Sequence, residues 1–272
     1  MKRVLVPTDF SQPAGYALRV AASIVRRSEG RLFLMHVMDI PEPDSENNID
    51  PKWQLLLNQT EKKFKEIFAE DFMSDINTAE IIGYENILEN ITRFSEENEI
   101  ELIVMGSYGA SGIREKLMGS NAQKVVRNVD VPVLIVKNEI SDFNPADMVF
   151  ASDFGQESYD SFLDVMGMVH HFNARLHLLK VITRSAFENN YVTTALMQNF
   201  IQYFKLRNVT KNVFNDESVV DGILNFSDSI QADLIALCTE GRSPMYQIFN
   251  ESVAEKLVNL SERPILTVKR KF

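Results

Sequence analysis

The chain has 272 residues, 45% hydrophobic and 24% charged, which is enough apolar material for one large core or two of ordinary size and too much for a disordered chain. Its 28 basic and 38 acidic residues, net −10, argue against broad electrostatic attachment to nucleic acid or anionic lipid. No run reaches the roughly 18 to 20 apolar residues of a membrane span, "MKRVLVPTDF" lacks a signal-peptide pattern, and a single cysteine, Cys238, rules out intrachain disulfides. A cytoplasmic protein with no membrane and no nucleic-acid partner is expected.

In chain order, short β-branched runs alternate with longer helical patterns. Strands are predicted near 3–7, 31–37, 77–82, 101–105 and 131–137, with helices near 12–28, 51–70, 85–98 and 118–129. The first, second and fourth strands are apolar at nearly every position, as when helices cover both faces of a parallel sheet. In the helix near 51–70, Trp53, Leu57, Phe64 and Phe68 form a stripe suited to packing on the sheet or on its counterpart in "ALMQNFIQYF".

After residue 147 the pattern begins again. "RVLVPTDFSQPAGYALRVAASI" has a partner in "MVFASDFGQESYDSFLDVMGMV", and "RLFLMHV" is echoed by "RLHLLKV". Later, "IELIVMGSYG" matches "ADLIALCTEG" and "VPVLIVK" matches "RPILTVK". Two copies of one unit, joined near "NEISDFNPAD", explain these echoes.

Glycine concentrates in "MGSYGASGIREKLMGSNAQKVVR", with Gly106, Gly109, Gly112 and Gly119 between the fourth strand and the fourth helix. Ser120 is placed as the helix N-cap. Strand, glycine loop and helix start together offer backbone N–H groups to an anion, although glycines can also serve only to shape a turn. In an open parallel sheet the ligand crevice lies beyond the carboxyl ends of the strands, where strand order reverses. "PTDFS" after the first strand and the glycine loop after the fourth both fall at that edge.

The spacing Gly106, two residues, Gly109, nine residues, Gly119-Ser120 resembles the nucleotide-binding signature of the universal stress protein family, and "VLVPTDFS", "LMHV" and "VPVLIVK" are similar to its other blocks. The repeat makes the chain resemble a tandem member, with residues 1–140 carrying the intact signature and 146–272 a degenerate one. The resemblance implies an α/β fold of two Rossmann-like (adenine nucleotide alpha hydrolase-like) domains. Each is a five-stranded parallel sheet of order 3-2-1-4-5 with helices on both faces.

It also implies ATP, with magnesium as a possible companion, between the ends of strands one and four. Position by position, Thr8 and Asp9 would meet the ribose or adenine and the backbone of Val37 the adenine edge. Gly106, Tyr108, Gly109, Gly119, Ser120 and Asn121 would surround the phosphates, with Pro7 and Met105 in the same set. The residue types suit these roles: glycine admits close backbone approach, the Ser120 hydroxyl and helix dipole favour an anion, and an ionised Asp9 accepts from ribose hydroxyls.

In the second copy the position of Gly106 is Cys238 and that of Gly119 is Glu251, while Ser252 and Asp153 are kept. A carboxylate about 4 Å from a phosphate costs on the order of 4 kcal/mol at an effective dielectric near 20. The second domain is therefore expected not to bind ATP in the family manner and to act as a structural partner. The last strands, "VPVLIVK" and "RPILTVK", are apolar sheet edges expected to pair about a pseudo-twofold axis, making one chain resemble a dimer; a further homodimer stays open.

His170, His171 and His177 lie close together but lack cysteine or carboxylate at a ligand spacing, so no metal site is expected. His36 reads as a strand residue near the adenine pocket, Cys238 as an inert thiol, and Arg114, Lys116, Lys124 and Arg127 as solvated surface or phosphate attendants. No Walker sequence is present, and no catalytic base or nucleophile stands out. An ATP-binding, stress-related regulatory protein is favoured over a catalyst. Slow ATP hydrolysis or self-phosphorylation, and an interaction scaffold with vestigial sites, are the alternatives.

Overall fold

The structure is a computed structural model that describes residues 1–42, 50–108, 118–186, 189–239 and 253–269. The first half runs β1 (Arg3–Pro7), α1 (Gln12–Ser28), β2 (Arg31–Met38), α2 (Pro51–Phe68), β3 (Asn77–Tyr84), α3 (Ile87–Glu97), β4 (Leu102–Gly106), α4 (Ser120–Asn128) and β5 (Val133–Val136). The second half repeats the series as β6 (Asp147–Ala151), α5 (Ser158–Phe172), β7 (Arg175–Ile182), α6 (Asn190–Phe204), β8 (Val209–Asn215), α7 (Val219–Ser229), β9 (Leu234–Thr239), α8 (Val253–Leu260) and β10 (Ile265–Lys269).

All the strands join one sheet in the order β3-β2-β1-β4-β5-β10-β9-β6-β7-β8. Each half thus has the order 3-2-1-4-5, parallel throughout. Alternation along the strands feeds two cores: Val4 and Val6 point into the layer under α1, whereas Leu5 joins Ile103 and Val125 on the opposite face. α1 begins where Ser11 Oγ accepts the Ala14 N–H with Pro13 in the first turn, and it buries Ala14, Ala17, Leu18, Ala21, Ile24 and Val25 along one stripe.

The repeat extends to backbone detail. After β1, Thr8 Oγ1 accepts the Phe10 N–H at 3.0 Å and Asp9 Oδ1 accepts the Ser11 N–H at 3.0 Å. After β6, Ser152 Oγ accepts from Phe154 at 3.0 Å and Asp153 Oδ1 from Gly155 at 3.3 Å. The short polar side chains hold both turns while Phe10 (φ 61°) and Phe154 (φ 58°) take the left-handed conformation.

β5 and β10 pair antiparallel at the centre of the sheet, with Ile135 opposite Ile265, Leu134 opposite Leu266 and Val133 opposite Thr267. The expected pairing of the last strands is thus present, and neither is an open edge. Lysines at matching positions reach across the junction: Lys137 Nζ donates to the Asn259 carbonyl at 2.7 Å, and Lys269 Nζ to the Asn128 carbonyl at 3.3 Å and to Asp130 at 2.5 Å. Each places a positive charge at the C-terminal end of the other half's helix, where the dipole favours it. Arg127 on α4 completes the junction by binding Glu255 on α8, Nε to Oε1 at 2.6 Å, with the Glu255 side chain 3% exposed.

Candidate functional site

Strand order reverses between β1 and β4, so the loops that follow them diverge and leave a cleft of about 670 Å³ at the carboxyl edge of the sheet. Pro7, Thr8, Asp9, Val37, Met105, Gly106, Tyr108, Gly119, Ser120 and Asn121 all line it. Gly109 lies outside the described residues, as do Gly112, Arg114, Lys116 and, in the second half, Gly241, Glu251 and Ser252.

Gly119 corrects one expectation. It is itself the N-cap of α4, extended at φ −61° and ψ 147°, and Ser120 is the first helical residue. The Gly119 N–H is taken by the Ser107 carbonyl at 2.8 Å. A glycine cap carries no oxygen for the first turn, so no side-chain cap covers the N-terminal amides of α4, where Ser120, Asn121 and Ala122 line the cleft. Lys124, one turn further on, also reaches its wall.

Gly106 is required for a different reason from the one its motif suggests. A Cβ there would lie 2.8 Å from the Pro13 carbonyl carbon and 3.0 Å from the Ala14 nitrogen, so the missing side chain admits the first turn of α1 against β4. Cys238 holds the matching place in β9, and α5 begins only at Ser158, two residues later than α1 does in the repeat.

The side of the cleft formed by β1, β2 and β3 is acidic. Asp9, Asp39 and Glu85 line it with Asn86, whose side chain also caps α3. Asp39, Glu85 and Asn86 were not anticipated, although the rule that ligands sit beyond the carboxyl ends of strands points to the residues after β2 and β3 as readily as to those after β1 and β4. Ser107 was missed as well. Its residue is 2% exposed, and its hydroxyl has no hydrogen-bond partner among the described residues.

His36 also lines the cleft, with its ring 4.5 Å from that of Phe10 and Nδ1 2.8 Å from the Thr8 carbonyl, so the neutral ring donates from Nδ1. Burial holds this imidazole below its ordinary pKa of 6.5; the Thr8 bond and Asp9 oppose the shift and Lys63 adds to it. As pH falls through 6.5 the unfolded chain takes up a proton that the folded ring still refuses. Stability is therefore full above that value and declines between it and the lower folded pKa. Thermal unfolding on either side of pH 6.5 is expected to show an acid loss that shrinks in His36→Asn; an unchanged pH profile in that variant would assign the loss elsewhere, His171 being lowered too.

A doubly wound parallel α/β unit, built twice in one chain and with a crevice at the switch point of the first copy, defines a tandem of Rossmann-like units. Residues 1–137 and again 147–269 match the Universal stress protein family. The chain belongs to that family and carries two of its repeats. Among curated relatives, Universal stress protein MJ0531 of Methanocaldococcus jannaschii is 29% identical over 143 residues, 50% of this chain and 82% of that one. Universal stress protein MJ0577 of the same organism is 27% identical over 162 residues, 52% of this chain and 97% of that one. A universal stress protein from Archaeoglobus fulgidus DSM 4304, solved by crystallography, shares the fold over 98% of this chain and 96% of its own, with a TM-score of 0.75 and 20% identity.

Proposed function

We propose that residues 1–140 bind ATP as a regulatory ligand in the cleft between β1 and β4, and that residues 146–272 are its structural partner, in a cytoplasmic protein of the stress response. The observation that carries this reading is the α4 N-terminus. Its first-turn amides have no side-chain cap, and it opens onto the same cleft as the orphaned hydroxyl of Ser107 and the Lys124 side chain. Donors and positive potential at that wall suit phosphates, while Asp9, Asp39 and Glu85 opposite suit hydroxyl and amino groups and repel anions. The cleft is of the usual size for one small ligand.

Magnesium would accompany the phosphates and not a protein site, since no group of three or more His, Cys, Asp or Glu among the described residues could hold a metal ion. No helix among those residues is long and apolar enough to cross a membrane. Among the described residues that line the cleft the one imidazole, His36, spends Nδ1 on the Thr8 carbonyl. That favours ligand-dependent regulation over turnover.

Titration calorimetry of the whole chain with ATP is expected to give one equivalent, because Cys238 and Glu251 stand in the second half where Gly106 and Gly119 stand in the first. Two equivalent sites would overturn the asymmetry, and no binding would overturn the reading. Trp53, the chain's one tryptophan, stacks on Tyr84 at 5.9 Å beside the cleft residues Glu85 and Asn86, so its fluorescence provides an independent signal.

A further inference from the structure

The phosphate wall of the first half is tied down from the second. Asn259, on the last turn of α8 and 7% exposed, accepts the Met118 N–H through Oδ1 at 2.5 Å in a buried bond. Met118 immediately precedes the Gly119 cap, whose own N–H goes to Ser107. Two consecutive amides are thus anchored, one to each half of the chain, immediately before the helix that offers its uncapped amides to the cleft. Further along, Arg127 holds Glu255 one turn earlier on α8, and Lys269 holds the C-terminal end of α4.

We infer that Asn259 is a positioning residue for the phosphate end of the cleft: by holding Met118 it fixes the direction in which Gly119 enters α4, and so where the first-turn amides point. The second half then completes the binding site of the first without touching the ligand. This rests on the reading of the cleft as an ATP site. Without the Asn259 side chain the Met118 amide is left buried and unpartnered, a cost relieved when Met118 and Gly119 shift toward solvent. The shift displaces the phosphate donors and leaves the β1 and β2 side of the cleft where it was. Because the contact lies at only one end of the cleft, its loss separates two ligands that share an adenosine moiety.

The test measures ATP and adenosine affinities for the full chain, for Asn259→Ala and the milder Asn259→Ser, and for Glu255→Gln, which perturbs the same helix at its contact with Arg127. ATP affinity is expected to fall about tenfold in Asn259→Ala, the worth of one buried hydrogen bond, with adenosine affinity unchanged. Asn259→Ser should show the same selective loss, and Glu255→Gln should not. Equal losses for both ligands, no loss, or the same selective loss in Glu255→Gln would overturn the inference while leaving the ATP site standing. Failure of the unmodified chain to bind ATP would remove the reading of the cleft and this inference with it.

Discussion

Gly119→Glu is expected to abolish useful ATP binding while leaving the fold intact. The position tolerates a side chain on backbone grounds, since its φ of −61° and ψ of 147° are open to any residue and its N–H bond to Ser107 does not depend on the side chain. What changes is the charge. A carboxylate at the cap of α4 sits at the wall where the phosphates are proposed to lie, and a glutamate there also competes for the first-turn amides. A like-charge contact at about 4 Å costs on the order of 4 kcal/mol at an effective dielectric near 20, and each 1.4 kcal/mol is about a factor of ten. Unscreened, that is a loss of roughly several hundredfold in affinity, and with half of it lost to screening still about thirtyfold. Calorimetry or Trp53 fluorescence measures it directly, with circular dichroism to establish folding. A folded variant with unchanged affinity would place the phosphates elsewhere. The second half carries this substitution already, as Glu251.

The other large effect belongs to the junction. Ile135 is 2% exposed, lies opposite Ile265 in the antiparallel pair and packs in the core with Met105, Val125 and Val149, so it is shared by both halves. Ile135→Asp forces a carboxylate into apolar surroundings, at a cost of several kcal/mol, roughly 3 to 5. That is a large part of the roughly 5 to 15 kcal/mol by which a folded protein exceeds its unfolded chain. Ile135→Val, which removes one methylene, should cost only about 1 kcal/mol. Denaturant unfolding should therefore show a small shift for valine. For aspartate it should show a collapse or an early transition with dye-binding apolar surface, as β5 and β10 part. Equal stabilities for the two variants would mean that the sheet does not depend on this pair.

The elements were legible because each carries its own local signal. β1 was expected at 3–7 and found at Arg3–Pro7, and α1 at 12–28 and found at Gln12–Ser28, since an unbroken apolar run and a Ser-x-Pro start fix both ends. The start of α4 was displaced by one residue because serine is the better cap in isolation, yet Gly119 takes the extended conformation and Ser120 enters the helix. The cleft was legible through the two loops that the motif marks. Gly106 shows the limit of a motif: the sequence cannot say whether a glycine makes room for a ligand or for a helix, and only the 2.8 Å approach to Pro13 decides it. Asn259 and the crossing lysines had no signal at all. Their partners are more than a hundred residues away and meet only once β5 and β10 have docked.

The contacts across that junction are unequal, which has a consequence for self-recognition. Two identical subunits on a twofold axis must make every contact twice. Here the residues that repeat Arg127 and Glu255 are Asn259 and Gln123, so the ion pair has no mirror image, and Asn259 serves Met118 instead. A free first half docking on another would set Arg127 against Gln123 and leave the Met118 amide without its acceptor. Joining the halves in one chain keeps the right partner at high local concentration and frees the two faces to diverge. An identical copy of the first half lacks both residues, Asn259 and Glu255, that the second half brings to this side of the junction.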